Sequence, residues 1–454
     1  MENSKKPPAR SDTAAQLRQA VLDSLAKLQA GTGRIALALS GGLDSSVLLH
    51  VLAGLGRDDL VALHVHHGLS PNADAWLAHC QAECARLQVP FDHVRLDLKP
   101  EAGESLEAQA RSARYAALQT LCARHGAAVL LTAHHGNDQA ETLLLNLLRG
   151  AGIAGLAAMR MQRPLGTLTL LRPFLHTSGE LLREHAREQA IGHIEDESNQ
   201  QTRHARNAIR LQLMPALRAI APAAVQRLIQ TASHAGQAQT LLDEIAQTDL
   251  SACAADTHSL NLIPLRTLSR ARAANALRAW LRQNGRQAPS TATLNNMLDQ
   301  INVTSSAARQ RFEHDGMMLH VYRNTLLLDP LIETPQGALH FQWQGQDRID
   351  FPEWSGSLCF RSTDANGVSA AWLRDQTLRL SSRSGGERLK LHPARPTRSL
   401  KHLYQSAAIP SWQRPSLPLL HAGPHLLLAA GLGMNALLLQ STDDQLELHW
   451  QPTP

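Results

Sequence analysis

Arg34-Ile35-Ala36-Leu37-Ala38-Leu39-Ser40-Gly41-Gly42-Leu43-Asp44-Ser45-Ser46-Val47-Leu48-Leu49-His50-Val51-Leu52 opens as a buried strand and closes as an apolar-faced helix. The two glycines between them allow a sharp turn and leave several N–H groups unpaired at the helix start. With the positive end of the helix dipole, those groups form a cradle for an anion such as phosphate. The pattern is not Walker A, which ends in Gly-Lys-Ser/Thr. No lysine stands here, and Asp44 occupies a place where a metal or a substrate amine could be held. An ordinary strand-to-helix turn is the competing reading of these residues.

Working outward, residues 34–192 alternate short apolar runs with helical patterns. Strands are expected at 60–65, 91–96 and 127–132, and helices at 76–88, 106–125 and 138–149. Gly126 serves as a helix C-cap. Such alternation predicts βαβ units and a parallel sheet covered on both faces, with ligands beyond the carboxyl ends of its strands. The expected fold is α/β, with residues 1–220 as the catalytic domain. Helices at 223–242, 270–283 and 291–301, then a β-hairpin at 311–328, define a mostly helical middle domain, 221–330. The Pro/Gly-rich stretch 329–357 suggests a linker region, 331–370. A small α+β domain, 371–454, follows, with a helix near 399–407.

A chain of 454 residues exceeds one core. No apolar run reaches membrane-spanning length, and Met1-Glu2-Asn3-Ser4-Lys5-Lys6-Pro7-Pro8 lacks the apolar core of a signal peptide, so the expected location is cytoplasmic, with no membrane partner. The five cysteines include no Cys-x-x-Cys pair, which argues against a disulfide framework or a zinc site. A net charge of +5 suits a polyanionic partner without requiring one.

A second constellation is Thr132-Ala133-His134-His135-Gly136-Asn137-Asp138-Gln139-Ala140-Glu141-Thr142, at a strand end and helix start. Asp138, Glu141 and Thr142 share one helical face. Acids in a first turn also serve as caps, and that reading stays open. Two adjacent histidines are harder to explain by capping.

Ser40-Gly41-Gly42-Leu43-Asp44-Ser45 resembles the PP-loop of enzymes that cleave ATP between its α- and β-phosphates, an adenine nucleotide alpha hydrolase-like fold. The other motifs extend the likeness in order. They are His64-Val65-His66-His67-Gly68-Leu69, Glu107-Ala108-Gln109-Ala110-Arg111-Ser112-Ala113-Arg114-Tyr115, the histidine-acid block, and Leu147-Leu148-Arg149-Gly150-Ala151-Gly152. Ile194-Glu195-Asp196-Glu197-Ser198-Asn199, Arg206-Asn207-Ala208-Ile209-Arg210 and Pro215 come next. Gly385-Gly386-Glu387-Arg388-Leu389-Lys390 and Ile409-Pro410-Ser411-Trp412 close the series. Together they resemble the tRNA(Ile)-lysidine synthetase family across nearly the whole chain. This chain departs at Asn137 and Ala205, where the family usually has aspartate.

The resemblance implies ligation of free L-lysine to C2 of the wobble cytidine in the CAU anticodon of tRNA(Ile). It implies ATP and Mg²⁺, release of pyrophosphate and AMP, and leaves a homodimer open. It implies that Ser40, Gly41, Gly42, Leu43, Asp44 and Ser45 cradle ATP, with Asp44 toward Mg²⁺. Arg111 and Arg206 fall to charge developing on the base, Asp138 to lysine's amine or its proton, and His135 to a secondary catalytic part. Arg114, Asn207 and Arg210 fall to tRNA, although Arg111 beside Glu107, Arg114 and Arg210 also suit a solvated helix face. Histidines 64, 66 and 67 equally suit strand-end hydrogen bonding.

Between Arg379 and Arg414 eight basic residues face one acid, Glu387. Arg383, Arg388, Lys390, Arg398 and Lys401 are the tRNA-phosphate candidates there, against a merely soluble basic face. With aromatics at 4%, broad base-stacking platforms are not expected. The alternatives are a PP-loop tRNA thiolation enzyme, which calls for Cys-x-x-Cys pairs, and an amidotransferase-type ligase, which calls for a glutamine-hydrolysing domain.

Overall fold

Period-two alternation in the first half of the chain gives one sheet two buried faces. In the computed structural model Ile35, Leu37, Leu60, Ala62, Val129 and Leu131 enter one apolar cluster, and Ala36, Val61, Leu63 and Leu130 the other. The structure describes residues 12–28, 33–68, 70–96, 106–195, 205–302, 311–322, 324–330, 335, 337–364, 367–440 and 444–452. The N-terminal octapeptide, Leu69, the Glu107 side chain and 196–199 of the acidic motif lie outside them.

Two units are distinguished, Met1–Glu244 and Ile245–Pro454. In the first the elements run α1 (Asp12–Leu25), β1 (Arg34–Ala38), α2 (Leu43–Ala53), β2 (Leu60–His66), α3 (Ala73–Arg86), β3 (Phe91–Arg95), α4 (Leu106–Arg124), β4 (Ala127–Leu131) and α5 (Gly136–Leu148). Next come α6 (Ile153–Leu156), β5 (Gln162–Leu165), β6 (Leu168–Leu171), α7 (Gly179–Glu188), α8 (Ala205–Ala208), a π-helical turn (Ile209–Leu213) and α9 (Met214–Ile220). Helix α10 (Ala224–Cys253) spans the division between the units.

The strand order is β3-β2-β1-β4-β6-β5, all neighbours parallel except the β5–β6 edge hairpin. Leu17, Val47, Cys80 and Leu182 bring α1, α2, α3 and α7 to one face, and Tyr115, Leu118 and Leu121 bring α4 to the other. The order reverses between β1 and β4. At such a switch point the loops leave in opposite directions and open a crevice beyond the carboxyl ends. The glycine turn follows β1 and the paired histidines follow β4, so both motifs border it.

The second unit begins with strands Ala254–Asp256 and Ser259–Asn261, helices Leu262–Thr267, Arg270–Gln283 and Thr291–Asn302, and a three-stranded meander, Arg311–His314, Met317–Tyr322 and Thr325–Pro330. The meander replaces the expected hairpin. The expected linker is also corrected. Ala338–Phe341 pairs with Leu378–Ser381, and Gly356–Ser362 pairs with Gln445–Pro452. Residues 338–362 are therefore structural strands of the C-terminal region. Trp412 ties that region to the meander, stacking on His320 at 4.0 Å and 8° and donating from Nε1 to Asp329 Oδ2 at 2.9 Å. Among the described residues no single helix is long and apolar enough to cross a membrane.

Candidate active site

The turn after β1 is built as a donor cradle. Gly41 adopts φ +84°, and an added Cβ would meet Ile194 Cδ1 at 2.8 Å and Cys80 Sγ at 3.0 Å. Ile194 fixes the turn from outside, its amide donating to the Gly41 carbonyl at 2.9 Å. Gly42 caps α2 with no side chain, so helix geometry leaves the amides of Leu43, Asp44 and Ser45 without intrahelical partners. By contrast α5 and α7 are capped by His135 and Ser178. The Ser40 and Ser45 hydroxyls lie 3.0 Å apart, and Ser45 Oγ also donates to the Gly42 carbonyl. Unspent amides, the Ser40 hydroxyl and a helix N-terminus form a donor set that fits the phosphates of ATP.

Across the crevice, His135 and Asp138 cap α5 reciprocally. His135 Nδ1 accepts the Asn137 amide at 3.1 Å, and Asp138 Oδ2 accepts the His135 amide at 3.0 Å. With Nδ1 an acceptor, the ring proton sits on Nε2, which faces Asp44 Oδ2 at 3.5 Å and Asp138 Oδ2 at 3.7 Å. One imidazole thus joins the two motifs. Burial lowers the pKa of His135, but Asp44, Asp138 and Glu141 outweigh it and raise the value.

Burial pushes the Asp138 carboxyl up, yet His135 and Arg206, with the bond from the His135 amide, outweigh that and hold it at about 2. Its Oδ1 accepts Arg206 Nη2 at 2.8 Å and faces Arg210 Nη2 at 3.4 Å. Glu141, only 3% exposed, takes Arg206 Nε at 2.9 Å on Oε2 and Arg210 Nε at 2.7 Å on Oε1. Arg206 precedes the π-helical turn and Arg210 lies within it, so both guanidinia reach the same pair of acids. Burial pushes His134 down to about 3 despite Asp138, leaving a neutral ring whose Nδ1 lies 3.0 Å from Thr132 Oγ1.

The structure therefore brings together Ser40, Asp44, His135, Asp138, Arg206 and Arg210. Arg111 and Arg114 lie on α4, each beside the Tyr115 ring, at 5.6 and 5.7 Å. Asn207 lies on α8 next to Arg206. Asn137 is buried, and its Oδ1 accepts the Gly179 amide at 3.1 Å, a neutral scaffolding bond at the position where the resemblance expects an acid. Of the C-terminal candidates, Arg388, Arg398 and Lys401 are exposed, Lys390 is half-buried, and Arg383 is held over Tyr404 at 5.4 Å. Glu141 and His134 were missed as site residues. Glu141 had a signal, its place one turn after Asp138, but its burial had none.

The chain matches the PP-loop domain family over residues 11–217, the TilS substrate binding domain over 260–327 and the TilS substrate C-terminal domain over 378–450. It is 41% identical to the tRNA(Ile)-lysidine synthase of Burkholderia pseudomallei, covering 92% of this chain and 93% of that one. The chain belongs to the tRNA(Ile)-lysidine synthase family. Other members of this ATP-dependent ligase family include those of Ralstonia nicotianae, 41% identical over 89% of each chain, and Coxiella burnetii, 34% identical over 87% and 88%. The family match spans both units, so the β1 turn belongs to its PP-loop domain, which uses ATP.

Proposed function

We propose that this protein joins free L-lysine to C2 of the wobble cytidine of a CAU-bearing tRNA(Ile), in the cytoplasm. The observation that carries the reading is His135 linking the PP-loop carboxylate Asp44 to Asp138 across the sheet's switch point. One nucleotide can touch both motifs there. In the first step the C2 oxygen attacks the α-phosphorus of ATP and pyrophosphate leaves. In the second, lysine's amine attacks C2, the C–O bond breaks, AMP leaves, and the amine gives up its protons to the surroundings.

The amides of Leu43, Asp44 and Ser45, with the Ser40 hydroxyl, hold the departing pyrophosphate. Asp44, 40% exposed, is placed to hold Mg²⁺ together with phosphate oxygens, the usual ligand set for that ion. Magnesium bound there would supply charge neutralisation at the phosphates. Arg206 and Arg111 offer charge that cannot be titrated away to the phosphate oxygens, which carry the negative charge as pyrophosphate and then AMP leave. Asp138 is a poor general base at neutral pH because its pKa is about 2. An ammonium-holding part suits it better, by exchange with Arg210, whose contact at 3.4 Å is its longer one. His135 acts as a donor through Nε2–H.

The thiolation alternative calls for Cys-x-x-Cys pairs, and the amidotransferase alternative for a glutamine-hydrolysing domain, usually with a cysteine nucleophile. All five cysteines are buried and free, and burial pushes Cys80 and Cys84 to about 12 and Cys122 to about 11. Such thiols stay protonated and weakly nucleophilic. The test is incubation with ATP, labelled lysine and unmodified tRNA(Ile) transcript. Label is expected on the CAU transcript and absent from a transcript with UAU in its place; no label on any tRNA contradicts the proposal.

A further inference from the structure

Four arginines outside the carboxylate clamp gather around one buried ring. The guanidinium carbons of Arg111, Arg114 and Arg163 lie 5.6, 5.7 and 5.6 Å from the centre of Tyr115. Arg172, 3% exposed, has a buried Nε with no hydrogen-bond partner, while its Nη1 donates to the Arg160 carbonyl at 2.7 Å. Among the described residues none of the four has a carboxylate partner. Burial, then the nearby charges of Arg163 and Arg111, lowers the pKa of Arg172, although Tyr115 opposes the shift. Arg111 is exposed and Arg114 and Arg163 are half-buried, so the buried Arg172 guanidinium is the charge that most needs a counter-ion.

The surrounding architecture holds the group in place. Arg163 opposes Leu170 across the β5–β6 hairpin, and Leu165 and Leu170 pack with Tyr115 against α4. At the hairpin tip Gly166 approaches α4 so closely that a Cβ would lie 2.4 Å from Gln119 Oε1. Because α4 runs antiparallel to the strands it covers, its first turns lie at their carboxyl ends, as does Arg172, just after β6. Arg172 follows β6 directly and Arg111 lies in the first turns of α4, so both sit at the carboxyl end of the sheet, where β4 delivers His134.

We propose that Arg163 and Arg172, with Arg114, form a second phosphate site that takes a backbone phosphodiester of the RNA substrate next to the reacting nucleotide. The inference rests on the proposed RNA reaction. Phosphate oxygens could equally come from ATP, but the PP-loop closes β1, two strands from β6, or about 10 Å at sheet spacing. Arginine forks suit a phosphodiester's paired oxygens.

Full-length wild type, Arg163→Ala, Arg163→Lys and Arg172→Gln are compared by filter binding of the tRNA(Ile) transcript across a salt series, and by KM for ATP. Arg163→Ala is expected to weaken tRNA binding about 5–10-fold and to reduce the salt slope by about one. Arg163→Lys should restore the slope, which a merely structural part for the side chain would not predict, and KM for ATP should stay within twofold. Unchanged affinity and slope in Arg163→Ala overturn the site. A raised KM for ATP with unchanged tRNA binding assigns the charges to the nucleotide and overturns the RNA assignment. Should Arg172→Gln fail to fold, the two Arg163 variants decide alone. Wild type that binds tRNA but ligates no lysine counts against the function, whereas the slope judges this site.

Discussion

Gly41→Ala is expected to lower kcat/KM for ATP about 100-fold and to cost about 2 kcal/mol of stability. At φ +84° an L side chain is strained by about 1–2 kcal/mol, and here the methyl also meets Ile194 and Cys80 at 3.0 Å or less. Ile194 can tilt its Cδ1 away, but its amide is bonded to the Gly41 carbonyl, so relief moves the turn itself. A shift of about 1 Å in groups that align a reacting phosphate can cost about 100-fold. Gly56→Ala separates the two effects. Gly56 has φ +65° with nothing within 4 Å of an added Cβ, so that variant should lose stability and keep its kcat/KM for ATP. Steady-state kinetics with urea unfolding of both variants reads the comparison, and normal turnover by Gly41→Ala would contradict the phosphate-cradle assignment.

Removing Arg206 and Arg210 together is expected to destabilise the first unit by about 3 kcal/mol, more than the single changes combined. Arg206→Ala leaves Glu141 held by two bonds from Arg210, and Arg210→Ala leaves it one from Arg206. Each single change should therefore cost about 1 kcal/mol. The arginine heads are about a third exposed and their own charge is screened, so little is ascribed to them. The carboxylate of Glu141 is not screened, and stranding it in the interior carries a penalty of about 3–5 kcal/mol. Adding Glu141→Gln to the double variant should recover most of the loss. Additive single changes, or no rescue by glutamine, would show that the clamp does not keep that carboxylate charged and buried.

Much of the first unit was legible because its signals are local. Alternation in β1 and β4, the Gly41-Gly42 turn and the acids opening α5 each act within a few residues. The β5–β6 hairpin was not foreseen, since Gln162–Leu165 carries Pro164 and lies on a sheet edge, where alternation is weak. The linker was misread for a related reason. Gly356–Ser362 is a strand because of Gln445–Pro452, and no nearby residue announces a partner so distant. In the site, Asp44, His135 and Asp138 stood in recognisable motifs. Their coupling through one imidazole, and the saturation of Asp138 and Glu141 by arginines more than sixty residues away, arise only from packing. The motif marks Arg206 for charge at the reacting base and Arg210 for tRNA or a solvated face, yet both are paired with acids.

In the proposed reaction the turn after β1 holds ATP so that its α-phosphorus meets a nucleobase oxygen beside His135 and Asp138. The most direct measurement omits lysine and incubates the protein with CAU-bearing tRNA(Ile) and ATP labelled at the α-phosphate. The account predicts stoichiometric label on the tRNA together with pyrophosphate, discharged as AMP when lysine is added. Release of ADP and phosphate, or tRNA that stays unlabelled while ATP is consumed, would contradict it.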